Sequence, residues 1–186
     1  LLAVHAQAAT YYVNVARLND DSSCALAQTK STAKKTLLAG ISCMAGGDTL
    51  RVVSGTYREQ VYFTLTPDLP SGTASANTFM IAEDGPGTVI ITRPLSNPPF
   101  YNFNTAANYL TVDGFIFDGG ATIDVPDSGT GPFALWDNNH HVTLQNNTFR
   151  NSYGDLLFMA HTSDSIVRGN TLYNAFDANG VGTHAI

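Results

Sequence analysis

One short pattern occurs three times between Asn108 and Asn174, and it limits the fold more than any other feature of the chain. It reads Tyr109-Leu-Thr-Val-Asp-Gly-Phe-Ile-Phe-Asp-Gly119, then His141-Val-Thr-Leu-Gln-Asn-Asn-Thr-Phe-Arg-Asn151, then Asp164-Ser-Ile-Val-Arg-Gly-Asn-Thr-Leu-Tyr-Asn174. Each copy is an alternating apolar strand, a Gly/Asn corner, a second short strand and a further Gly or Asn. Units of roughly 20 to 30 residues built this way cannot bury an apolar face alone, so they stack as a solenoid. The expected fold is all-β, a right-handed parallel β-helix whose coils occupy residues 48–186.

Aligned copies put Phe115, Asn147 and Asn170 in one column, at spacings of 32 and 23 residues. A simple coil needs about the shorter length. The longer interval is therefore expected to carry an insertion, most simply residues 121–129, projecting as a loop that could wall a cleft. Strand alternation then sorts the columns. Leu110, Val142 and Ser165 point inward, as do Val112, Leu144 and Val167, and Phe117, Phe149 and Leu172. A separate face stacks Phe133 on Leu156 and Leu135 on Phe158. Asn147 over Asn170, and Asn151 over Asn174, are expected corner ladders, because Asn tolerates the left-handed corner conformation. The outward columns are Asp113, Gln145, Arg168 and Asp118, Arg150, Tyr173.

The chain ahead of the repeats supplies an edge strand at Thr10-Tyr-Tyr-Val13, then a polar stretch. Its Asp20-Asp21 pair reads as a solvated turn rather than a metal site. An amphipathic helix follows, N-capped by Ser31 or Thr32, with Leu37, Leu38, Ile41 and Met44 on one face and Gly46-Gly47 as the stop. Residues 9–47 are thus expected to form an N-terminal strand, a loop and a cap helix, and such a helix can plug the open end of a β-helix, whose strand edges and core are otherwise bare. Cys24 and Cys43 are the two cysteines; they can pair in an oxidising compartment, with two buried thiols as the alternative.

Residues 47–59, Gly-Asp-Thr-Leu-Arg-Val-Val-Ser-Gly-Thr-Tyr-Arg-Glu, follow that helix. With the Tyr-Tyr-Val start and the helix, this stretch resembles the N-terminal region of the pectate-lyase-like superfamily of secreted β-helix proteins. The resemblance covers about residues 9–186 and is a folding motif more than a chemical one. It implies either a carbohydrate-active enzyme, a polysaccharide lyase or glycoside hydrolase, or a non-catalytic carbohydrate-binding or adhesin module. The resemblance also implies a Lys or Arg base for a lyase, with Ca²⁺ held by Asp/Glu.

Composition excludes some partners. The formal net charge is −6 and charged residues are 13%, which argues against a nucleic-acid footprint. No run is long and apolar enough for a membrane span. Residues 1–8 end in Ala6-Gln7-Ala8 and read as a signal-peptide remnant, so the protein is expected to be secreted, extracellular or periplasmic. The C-terminal run 180–186 reads as a corner entering a strand, so further coils are expected beyond it.

An acidic polysaccharide is the expected partner. The catalytic candidates are Asp118, Arg150 and Arg168, since Lys is confined to residues 30–35. Asp113, Trp136, Tyr173 and His161 are candidate sugar contacts: carboxylates accept from hydroxyls, and an outward Trp136 beside Met159 could stack on a sugar face. Asp137, Asp155 and Asp177 are the candidate ligands for Ca²⁺. His140-His141 is expected in a solvent-facing turn. An adjacent Asp-Asp pair, as in polygalacturonase-like hydrolases, does not occur on the coils, nor does the Asp-Pro-His of mannuronan epimerases.

Overall fold

The computed structural model describes residues 8–62, 69–92, 100–102, 106–120, 131–136, 138–153 and 155–176. Strand β1 (Thr10–Val13) comes first, and a short helix, α1 (Leu37–Ile41), follows it. Successive coils then each contribute three strands. The first comprises β2 (Thr49–Val52), β3 (Gly55–Arg58) and β4 (Val61–Tyr62). The second comprises β5 (Thr78–Ala82), β6 (Val89–Thr92) and β7 (Phe100–Asn102). The third is β8 (Asn108–Asp113), β9 (Phe115–Asp118) and β10 (Phe133–Leu135). The fourth is β11 (Asn139–Gln145), β12 (Thr148–Tyr153) and β13 (Phe158–Met159). The fifth is β14 (Thr162–Ser163), β15 (Ile166–Arg168) and β16 (Thr171–Phe176). Every strand-to-strand pairing among these is parallel, and the strands form three sheets that each take one side of the first four coils. In the fifth, β14 and β15 both pair with β11, and β16 pairs with β12. This is the parallel β-helix pattern.

Registers match the repeat on two of the three sheets. Leu110 pairs Val142, Val112 pairs Leu144 and Leu144 pairs Val167; Phe117 pairs Phe149 and Phe149 pairs Leu172. The inward side chains fill a core in which Phe100, Phe117, Phe133 and Phe149 are fully buried. Phe117 stacks on Phe149 (5.5 Å, 9°) and Phe100 on Phe133 (4.2 Å, 7°), while Phe117 meets Phe133 edge-on (5.0 Å, 73°). Two coil-to-coil stacks from neighbouring sheets thus meet in the geometry that the ring quadrupole favours. Val167 departs from the expected inward burial, at 48% exposed. Its coil has a paired neighbour on one side only among the described strands.

The third sheet corrects the sequence alignment by one residue. Ala134 pairs Phe158 and Leu135 pairs Met159, so Phe133 is not over Leu156, nor Leu135 over Phe158. From Asn139 onward the offset returns to that of Thr162. The link from β13 to β14 is therefore one residue shorter than the link from β10 to β11, a difference no fixed period can show. Phe133, Ala134 and Leu135 are all fully buried, so the alternation expected for a half-exposed strand is missing there too.

The corners also differ in detail. Gly114, Asn146 and Gly169 take positive φ (+86°, +55°, +63°); they lie in one column, and Asn146 tolerates the region where a β-branched residue would not. Asn147 and Asn170, the next column, are not left-handed. Their side chains instead bond the backbone of the neighbouring coil. Asn147 Oδ1 accepts from the Phe115 N–H (2.9 Å) and its Nδ2 donates to the Val112 carbonyl (2.9 Å), while Asn170 repeats this with Asn147 N–H and Leu144 O (2.8 and 2.9 Å). Asn151 and Asn174 are left-handed (+58°, +60°) and bond side chain to side chain at 3.0 Å.

The N-terminal helix is shorter than its periodicity suggests. Residues 26–28 and 30–32 form 3-10 turns, and α1 begins at Leu37 with Thr36 as its N-cap, the Thr36 hydroxyl accepting from Ala39 N–H at 3.2 Å. Ser31 and Thr32 therefore cap nothing in α1. Glu59 reaches the same helix start, accepting from Leu37 and Leu38 N–H (3.0 and 3.2 Å); burial raises its pKa against those two bonds. Asp20 is not a solvated turn residue, since it accepts from the Lys35 and Thr36 N–H groups (2.6 and 3.0 Å) and the Thr36 hydroxyl (2.9 Å). Leu37 and Ile41 are buried against the β1–β2 end of the core. Gly40 permits this approach, because a Cβ there would collide with Val13 Cγ2.

The Gly-Asp-Thr…Gly-Thr-Tyr motif is a set of clamps. Asp48 is buried and accepts from Ala9 and Ala45 N–H, both at 2.7 Å. Tyr57 is buried, its hydroxyl donating to Val53 O (2.8 Å) and accepting from Val15 N–H (3.1 Å); burial pushes its pKa up to about 12. Cys24 and Cys43 form a disulfide.

Three outcomes test these contacts. Replacing both cysteines by Ser should lower unfolding free energy by about 3 kcal/mol, the chain-entropy value for a loop of this size, as read by denaturant titration. Asn147→Ala should cost about 1–3 kcal/mol by orphaning buried backbone groups, while Asn174→Ala, at an exposed rung, should stay within about 0.5 kcal/mol. The Lys30 ammonium, then the Ser54 N–H, hold the Asp84 carboxyl down at about 2. A depressed folded-state pKa stabilises above the unfolded value and is lost as pH falls through the folded one. Asp84→Asn should therefore flatten the fall in stability between about pH 4 and pH 2 in acid titration of unfolding.

Candidate functional site

The outward columns run the length of two sheets. On the first, Tyr12, Arg51, Ile81, Asp113, Gln145 and Arg168 are successive partners. On the second, Arg58, Thr92, Asp118, Arg150 and Tyr173 are. The stretch in which both columns are polar and hydrogen-bonding lies on the third to fifth coils. The corner Gly114–Asn146–Gly169 separates the two columns and carries the chain from one sheet to the next.

Coil spacing of about 4.8 Å lets each long side chain reach the next rung. On the first column, Gln145 Nε2 donates to Asp113 Oδ2 (2.7 Å), and Arg168 Nε and Nη2 donate to Gln145 Oε1 (3.0 and 2.6 Å). Gln145 thus joins a carboxylate to a guanidinium two coils away. On the second, Arg150 Nε donates to Asp118 Oδ2 (2.7 Å) and Nη1 to the Tyr173 hydroxyl (3.1 Å). Asp118 Oδ1 also accepts from Asn151 Nδ2 (3.0 Å) and Gly120 N–H (2.9 Å). The Arg150 pKa is raised, first by the Tyr173 hydrogen bond and then by Asp118 against the lowering effect of burial.

Arg51 and Arg58 belong to the first coil; from the third coil to the fifth, charge is graded along the helix axis. Both carboxylates, Asp113 and Asp118, sit on the third coil; the guanidinium groups sit on the fourth and fifth. Arg150 is three-quarters covered and held from two sides (side-chain exposure 25%), whereas Arg168 is exposed and bonds only one acceptor atom among the described contacts. Such a row can do two things for a polyhydroxylated anion. Guanidinium groups bind carboxylates in a planar fork, and carboxylates and amides accept from hydroxyls.

Asp113 and Asp118 already accept two and three N–H donors, and among the described residues no group of three His, Cys, Asp or Glu gathers to hold an ion. Asp155 is half-buried. Asp137 and Asp177 lie outside the described residues, as do the 121–129 insertion, residues 1–7 and His184.

Trp136 is half-buried and packs on Phe158, ring centroids 4.3 Å apart at 36°. Met159 faces Leu135, not Trp136, because of the one-residue register difference. His161 is exposed with φ of +48° and its carbonyl accepts from Asn139 N–H (3.1 Å); it stands apart from the strip. Asn146 and Asn151 were legible only as corner residues. Each directly follows an outward residue, Gln145 or Arg150, and that adjacency is the signal for their role as donors to Asp113 and Asp118 (Asn146 Nδ2 to Asp113 Oδ1, 2.9 Å).

No protein-family model matches the chain, and no curated protein matches it. Among solved structures, it is similar to one described as the crystal structure of pectate lyase Pel9A, at a TM-score of 0.60 and 14% identity. The match covers 93% of this chain and 42% of that one, so the chain spans about two-fifths of that protein's length. At this identity the likeness is one of fold, a parallel β-helix.

Proposed function

We propose that this is a secreted, carbohydrate-active β-helix protein that engages an acidic polysaccharide along the strip Asp113–Gln145–Arg168 and Asp118–Arg150–Tyr173, with lyase action as its activity. The observation that carries the reading is the alignment of guanidinium, amide, phenol and carboxylate groups at coil spacing, facing out. A polyuronate lying along the helix would exchange Gln145 and Tyr173 for its own carboxylates at Arg168 and Arg150. Its hydroxyls would donate to Asp113 and Asp118. The fold likeness to a pectate lyase supports the substrate class, and the Cys24–Cys43 bridge supports an oxidising compartment. Helix α1, against the end strand β1, serves in this reading as the N-terminal cap.

Elimination also requires a base at the α-proton and a cation on the uronate carboxylate. Arg150 and Arg168 are the cations of the described strip. One observation favours a second reading, a non-catalytic carbohydrate-binding or adhesin module: every charged group of the strip already has a protein partner, as in a surface tuned for binding.

Incubating the protein with pectate, alginate or a glycosaminoglycan, with and without chelator, should raise the ultraviolet absorbance of an unsaturated product with one of them. Binding without product in every case would leave the module reading. Arg150→Ala should weaken polysaccharide affinity by about 1.5–3 kcal/mol, the range for a hydrogen bond to a charged group, measured by calorimetry. Unchanged affinity in both Arg150→Ala and Arg168→Ala would overturn the strip assignment.

A further inference from the structure

At the entry end of the strands whose exit end carries Asp113 and Gln145, three rings meet. His140 and His141 lie within β11 rather than in a turn, and their Nδ1 atoms are 3.0 Å apart. Tyr109 stacks on His141 at 4.5 Å and 20° and meets His140 edge-on at 5.2 Å and 86°. Consecutive residues of a regular strand point to opposite faces, which would keep two adjacent imidazoles apart. Here Tyr109 and His141 both take left-handed φ (+48° and +56°), and the break in alternation lets the two rings converge. The His140 N–H is fixed by Asn108 Oδ1 at 3.0 Å. His141 is exposed and His140 half-buried, so the pair is open to solvent.

We propose that His140 and His141 chelate a divalent transition-metal ion, Cu(II) or Ni(II), through their two Nδ1 atoms. Imidazole nitrogen is a donor these ions favour. Two metal–nitrogen bonds of about 2.0–2.1 Å span about 2.9 Å at a right angle and about 3.3 Å at the tetrahedral angle. The 3.0 Å separation is nearer the tetragonal geometry of Cu(II) and Ni(II) than the tetrahedral one of Zn²⁺. Without metal, the contact is a hydrogen bond, so one ring carries its proton on Nδ1 and the other offers a lone pair. Chelation needs both lone pairs, and that proton shifts to the Nε2 of its own ring. No third His, Cys, Asp or Glu closes a group of three among the described residues, so water fills the remaining positions and leaves them open to an outside ligand. The site does not depend on the polysaccharide reading.

Titrating the protein with Cu(II) alone should give a tetragonal electron paramagnetic resonance spectrum with couplings from two imidazole nitrogens. His140→Ala and His141→Ala should each weaken that site by roughly tenfold or more, while His161→Ala leaves it unchanged and circular dichroism shows all three folded. A wild-type spectrum without paired imidazole couplings would overturn the proposal without reference to any variant. So would an unaltered spectrum in the His140→Ala/His141→Ala double variant, or an equal loss in His161→Ala.

Discussion

Each coil of this chain can satisfy its strand backbone only through the coils above and below it, because its own strands lie on different sheets. Buried N–H and C=O groups must be paired, so the parallel coil-to-coil ladder is the constraint on which everything else rests. At the corners the ladder has gaps, and Asn147 and Asn170 close them by bonding one backbone N–H and one carbonyl of the preceding coil. The same stacking puts like side chains over like, which is how Phe117 and Phe149 come to lie face to face inside and how Gln145 comes to link Asp113 with Arg168 outside.

The polar strip is therefore a consequence of register. Its residues are far apart in sequence, and their mutual hydrogen bonds exist because in-register coils are one side-chain length apart. From the third coil onward, a ligand that runs along the helix axis meets acceptors first and guanidinium groups after them, an order fixed by which coil carries which residue. The His140–His141 pair belongs to the same strands but depends on a different property, the local left-handed break that sets aside the alternation of a regular strand.

The repeat region was legible because period and alternation are properties of the sequence itself. The inward columns, the outward columns and the pairing of Asp118 with Arg150 all follow from aligning three copies. Where the period changed, legibility ended: one residue fewer between β13 and β14 moved Met159 onto Leu135 and left Trp136 against Phe158. The helix start was misread for another reason. Ser31 and Thr32 are good caps by residue type, but the position of α1 is set by long-range acceptors, Asp20 and Glu59, that take up the N–H groups of residues 35 to 38.

By itself the sequence determined that the chain is a stack of parallel coils and which residues face out, because a 23-residue spacing and a two-residue alternation permit little else. Only the tertiary structure decided how those residues meet. Asn147 bonds backbone rather than its neighbour's amide, Asn146 and Asn151 hold the two carboxylates, and His140 and His141 turn to the same side. Hydrogen-bond partners and corner angles are set by distances between coils, and those distances arise only when the coils stack.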